Sequence, residues 1–190
     1  MLPLTESDQE TLLQMARAAL VDYVASGKIP TIAEPEESLR QKCGAFVTLR
    51  RGKNLRGCIG VIEANAPLYQ TVRQCAAWAG TSDPRFPPVM KGEVAGLNIE
   101  ISVLSPLFKI APEDVEVGKH GLLVTRGGIR GLLLPQVAVQ WKWDREHFLQ
   151  ETCRKAGLPL EAWRHDAEVQ AFTAQVFEEA HPARSSHPAA

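Results

Sequence analysis

Residues 44–62 constrain the fold more than any other stretch of this chain. GAFVTLR (44–50) reads as a strand, RGKN (51–54) as a tight turn, and LRGCIGVI (55–62) as a second strand, so the segment predicts an antiparallel hairpin. A second hairpin is predicted over HGLLVTRGGIRGLLL (120–134), with Gly127-Gly128 at its turn. Between them, LNIEISVLS (97–105) alternates strictly, with Leu97, Ile99, Ile101 and Val103 on one face and Asn98, Glu100 and Ser102 on the other. Helical patterns flank these strands. Residues 5–26 carry an apolar stripe of Leu12, Ala16, Ala19, Leu20 and Tyr23, with Ser7 and Glu10 at capping-box spacing and Gly27 as the stop. Pro67 opens a helix running to about Ala79, and Asp144 caps another bearing Phe148, Leu149 and Cys153.

Three prolines make GTSDPRFPPV (80–89) a loop. QAFTAQVFE (170–178) reads as one strand, since Phe172, Ala174 and Val176 alternate. The expected fold class is α+β, with antiparallel hairpins and flanking helices, because no βαβ alternation with Gly-rich phosphate turns is present. Residues 1–180 are expected to form one domain, and HPARSSHPAA (181–190) a disordered tail.

Composition excludes several classes. The 190 residues are 45% hydrophobic and 23% charged, which suffices for a buried core. The net charge of −1 argues against nucleic acid as a partner, and the basic cluster Arg50, Arg51, Lys53 and Arg56 could contact phosphates but for the most part reads as a solvated turn. No apolar run approaches the roughly 20 residues of a membrane helix. The start MLPLTESDQE lacks the basic and apolar regions of a signal peptide, so a cytoplasmic location is expected. Cys43, Cys58, Cys75 and Cys153 form no CxxC pair and read as free thiols.

The chemistry centres on Leu55-Arg56-Gly57-Cys58-Ile59-Gly60. Regular alternation places Arg56 and Cys58 on one face, where the guanidinium would favour thiolate. Cys58 then reads either as a reactive thiol beside an anion-binding arginine or as a small packing residue under a tight hairpin. Asp83 and Arg85 either lock each other or leave Arg85 to take a carboxylate or phosphate. Glu100, an acid within an apolar strand, calls for a cation, with Arg56 or Arg85 as the expected partner. His120 is a general base or a turn histidine bonded to backbone. Gln136 orients a ligand or satisfies the turn after Pro135. Cys153 lies on an apolar helical stripe and reads as core, with Cys43 and Cys75 as packing residues. His147, His165, His181 and His187 show no mutual ligand spacing. Cys58, His120 and Glu100 are legitimate metal ligands, but no spacing signal supports a site, and no metal is expected.

LRGCIG, together with GAFVTL, DPRF, EISVLSP, GLLLPQVA and WDREHFLQETCRKAGLP, resembles the AMMECR domain family over about residues 8–180. The resemblance implies a two-lobed α+β domain with a cleft between the lobes. Bacterial members are known as protein A of the AmmeMemoRadiSam system, which implies partnership with a Memo-like protein and a radical-SAM protein. The implied activity is poorly defined, and it gives no cofactor. On this reading the expected function is an enzyme or enzyme subunit holding a small anionic ligand. Cys58, His120 and Glu100 would be catalytic, and Arg56, Asp83, Arg85 and Gln136 would bind. The alternative is a non-catalytic protein-binding or scaffold module of the same system.

Overall fold

The computed structural model describes residues 3–180, and the expected tail at 181–190 lies outside the described residues. The chain has α+β architecture and divides into two compact units, one made of residues up to Ser102 together with those from Val176 onward, the other of Val103–Gln175.

In the first unit, α1 (Glu6–Ser26) is capped two residues earlier than expected. Thr5 accepts from the Asp8 backbone N–H at 3.2 Å, and Asp8 accepts from the Thr5 N–H at 2.9 Å, so the capping box is Thr5/Asp8 rather than Ser7/Glu10. Gly27 ends the helix at φ 71, a left-handed cap open to glycine without strain. The hairpin follows as β1 (Ala45–Arg51) and β2 (Asn54–Val61). Then come α2 (Leu68–Thr81), which Pro67 caps from just outside, and β3 (Asn98–Leu104). Ala45, Val47 and Leu49 of β1 point to the same side as Ile99 and Ile101 of β3, and all five are fully buried. α2 packs against the hairpin and α1 packs against α2.

In the second unit, β4 (Phe108–Lys109) and β5 (Gly121–Arg126) precede β6 (Ile129–Leu133). The β5–β6 turn holds Gly127 and Gly128 at φ 57 and 84, as a two-residue hairpin turn requires. Next come α3 (Pro135–Gln140) and α4 (Arg145–Lys155), where Asp144 accepts from the His147 N–H at 2.8 Å. The core joins Leu122, Val124, Phe148, Leu149, Cys153 and Val169. Cys153 is core, as its place on the stripe predicts, and Cys43 and Cys75 are also buried.

The single strand expected at 170–178 is two strands, β7 (Glu168–Phe172) and β8 (Ala174–Glu178). The two sheets have strand orders β2-β1-β3-β8 and β4-β7-β5-β6, so β7 and β8 belong to different sheets. Thr173 lies between them. Its N–H donates to the Ser105 hydroxyl and its carbonyl accepts from the Ser105 N–H, both at 2.9 Å. Alternation continues through Thr173, so periodicity alone does not reveal the break.

Candidate functional site

The LRGCIG segment forms most of β2, an edge strand of its sheet. Leu49 pairs with Gly57, but Arg50 pairs with Leu55, so Arg56 is the extra residue of a β-bulge. The bulge breaks the alternation on which Arg56 and Cys58 were expected to share a face. Arg56 instead reaches Glu93, donating from Nε at 3.2 Å and from Nη2 at 3.1 Å, while its Nη1 donates to the Pro87 carbonyl at 2.9 Å. Glu93 also accepts from the Met90 N–H at 2.9 Å. Arg56 thus fastens residues 87–93 to β2.

Cys58 is held by the DPRF loop. Its N–H donates to Asp83 Oδ2 at 2.8 Å, and its carbonyl accepts from Arg85 Nη2 at 3.3 Å. These are the groups an edge strand otherwise leaves unpaired. The Asp83 carboxylate, only 4% exposed, also accepts from Arg85 Nε at 2.9 Å, Arg85 Nη2 at 2.7 Å and the Arg85 N–H at 3.1 Å. The Arg85 side-chain hydrogen bonds, with further help from the Cys58 N–H, hold its pKa down to about 2. Of the two readings of Asp83 and Arg85, the mutual lock is present.

Cys58 itself is half-buried, and Thr48, opposite it on β1, donates its hydroxyl to Sγ at 3.3 Å. Burial pushes the thiol up, outweighing the Thr48 hydrogen bond and the charge of Arg85, while Asp83 and Glu100 push the same way as burial. The expected activation by Arg56 is therefore absent, because the arginine near the thiol is Arg85 and desolvation prevails. The net effect disfavours the thiolate, the form in which a cysteine acts as a nucleophile. Alkylation of the folded protein should show Cys58 labelling that climbs through pH 9 with no plateau near neutrality. A plateau near pH 7, read by peptide mass spectrometry, would contradict the buried-thiol account.

Glu100 pairs with neither arginine expected for it. Its partner is Arg50 of β1, with Nε 3.5 Å from Oε2 and both side chains mostly covered. Arg50 and Arg56 are thus ion-paired members of the sheet, not parts of a solvated basic turn. Arg50, Thr48 and Glu93 are the site residues that motif reading missed. Thr48 follows from the hairpin register and Arg50 from strand alternation, but nothing local marks Glu93.

His120 and Gln136 belong to the second unit. His120 Nδ1 accepts from the Glu116 N–H at 3.0 Å, while the His120 N–H donates to the Glu116 carbonyl at 3.0 Å. The ring is buried and meets Phe108 edge-on at 5.8 Å between centroids. Burial pushes its pKa down, with Lys119 adding to the effect, so the imidazole is neutral and carries its proton on Nε2. To act as a base through Nδ1 it would first have to release the turn it closes. Gln136 is half-buried on the first turn of α3, behind Pro135. Among the described residues, no group of three or more His, Cys, Asp or Glu side chains could hold a metal ion. No helix among them is long and apolar enough to cross a membrane.

Comparison with known proteins agrees with this architecture. The AMMECR1 family model matches residues 13–177. A protein of Thermococcus onnurineus is 44% identical over 188 residues, covering 91% of each chain. Protein MK0488 of Methanopyrus kandleri is 44% identical over 190 residues, covering 94% of this chain and 92% of its own. The crystal structure of the uncharacterized protein PH0010 from Pyrococcus horikoshii superposes with a TM-score of 0.85 at 43% identity, covering 91% of this chain and 92% of the other. A bulged, loop-clamped LRGCIG edge strand is thus the local setting of a sequence that matches the family along most of its length, and the chain belongs to the AMMECR1 family.

Proposed function

We propose that this chain is a non-catalytic binding module and that the loop at residues 83–91 is its docking face. The observation that carries this reading is how the LRGCIG side chains are used. Arg56 and Asp83 direct their polar atoms into backbone and loop, and they pin both ends of DPRFPPVM to β2. A loop fixed in this way loses little conformational freedom on binding, which favours affinity.

Its outer surface has the residue types that anchor interfaces. Met90 is 69% exposed, Arg85 is exposed, and Phe86 is half-exposed with the Arg85 guanidinium 5.5 Å from its ring centroid. Lys53 and Lys91 are exposed in the same unit, while the acids Asp83 and Glu93 are already paired, Asp83 with Arg85 and Glu93 with Arg56 and Arg51. This charge balance suits an acidic segment with an apolar anchor, carried by the Memo-like or the radical-SAM protein that the family resemblance implies. A thiol enzyme acting on a small anionic ligand is less well supported, because burial disfavours the Cys58 thiolate and Arg56 is committed to Glu93 and the Pro87 carbonyl.

The test is binding of each purified partner to the full chain by calorimetry. Met90→Glu combined with Lys91→Glu alters exposed side chains only, so the fold should hold. The double variant should weaken a micromolar complex by about tenfold or more, and added salt should weaken the wild-type complex. Absence of any complex with either protein at micromolar concentration, or equal binding by the variant, would overturn the reading.

A further inference from the structure

Nearly every position of α2 is buried, including Leu68, Val72, Cys75, Ala76 and Ala79. The outward positions are Gln70, Gln74 and Trp78, at i, i+4 and i+8 on one stripe. The loop that carries the chain from β2 into α2 faces this stripe across a groove of about 400 Å³. Glu63, Asn65, Gln70, Thr71, Gln74 and Trp78 supply its polar and aromatic lining. That volume lies within the range of small-molecule sites, toward its lower end.

The chemistry of the lining is selective. No lysine, arginine or histidine lines the groove, and Cys75, pushed up to about 12 by burial, stays neutral. Glu63 is the one charged side chain, and it already has an interaction within the protein. An anion would find no cation to pair with and would be repelled by Glu63. Asn65, Gln74 and the Trp78 indole make no side-chain hydrogen bond within the described residues, and Gln70 directs its amide nitrogen to the Tyr69 hydroxyl at 2.9 Å. Carboxamides offer donors and acceptors together, which is what a hydroxyl needs on each side. Trp78, 39% exposed, lines the groove, and the negative π face of an indole attracts C–H groups.

The geometry points to a binding site for a neutral, polyhydroxylated ligand of the sugar class in the groove between α2 and the loop that precedes it. Its C–H face would lie on Trp78, and its hydroxyls would meet Asn65, Gln70 and Gln74. A mono- or disaccharide matches the volume. The site uses none of the residues of the 83–91 loop, so it stands or falls apart from the docking reading.

The full chain, labelled for NMR, would be titrated with D-glucose, N-acetylglucosamine and maltose, with glucose 6-phosphate as the charged comparator. At least one neutral sugar should give saturable shifts at the Trp78 indole N–H and the Asn65 and Gln74 amides, and glucose 6-phosphate should bind more weakly than glucose. Trp78→Leu should abolish the shifts, and Gln74→Ala should weaken binding about tenfold. Gln74 has an unbonded side chain at the surface, so its variant settles the matter if Trp78→Leu proves unstable. No saturation with any of the sugars at tens of millimolar would overturn the site. So would tighter binding of the phosphate, or unchanged affinity in Gln74→Ala.

Discussion

Gly57→Ala should destabilise the protein by about 3 kcal/mol or more, enough to leave much of the chain unfolded at moderate urea. Gly57 lies on the β2 face that meets α2. A β-carbon placed there would stand 2.0 Å from the Ala79 carbonyl oxygen and 3.0 Å from its carbon. Both atoms are helix backbone, so no flexible side chain can give way. α2 would have to lift from the hairpin, and α1 packs on α2 in turn, so the strain would spread through the core of the unit. Gly92→Ala is the control, because a methyl group added there would meet nothing within 4 Å and the backbone is ordinary; it should shift stability by less than about 0.5 kcal/mol. Equal urea midpoints for the two variants would refute the close-approach account of this glycine.

Asp83→Ala should cost about 3 kcal/mol, because it leaves the Cys58 N–H without its acceptor and the Arg85 guanidinium without its counter-charge. The exposed half of the guanidinium is screened by water, which keeps the figure at the low end for a buried pair. Asp83→Asn can retain the bond to Cys58 but not the charge, and should cost about 2 kcal/mol at neutral pH. The pH dependence has a definite sign. The folded pKa of about 2 lies below the ordinary 3.8, so this stabilisation is fully present above about pH 4 and is lost as pH falls from there through 2. Asp8, Glu93 and Glu116 are also held low, so the wild type has a compound acid slope. The difference between wild type and Asp83→Asn isolates the Asp83 share. A constant stability difference between pH 7 and pH 2 would show that the lock is not electrostatic.

Both variants act on one strand from opposite sides. Gly57 lets α2 approach β2 from the core, and Asp83 closes its outer edge. LRGCIG therefore describes a strand that must be thin on one face, bulged at Arg56 and clamped at Cys58. Each demand is structural, yet together they fasten the 83–91 loop to β2, with Arg85 and Met90 exposed and Phe86 half-exposed. Asp83→Asn links the two levels, since loosening the lock should also weaken partner binding by freeing the loop.

Sequence alone determined what depends on neighbours along the chain. The hairpins at 45–61 and 121–133, the alternation of β3, the Asp144 cap and the Gly27 stop all follow from backbone preferences and periods read over a few residues. Family membership rests on ordered motifs and was equally open to reading. The six-residue α3 escaped because so short a helix shows no period. Tertiary structure decided the rest. One alternating run became β7 and β8 in different sheets, because the choice of sheet is made by distant partners. The bulge turned Arg56 toward Glu93, 37 residues away, and left Glu100 to Arg50 on the neighbouring strand. The proton affinity of Cys58 followed the same logic, since spacing can place a charge near a thiol, but only packing sets how much water that thiol loses.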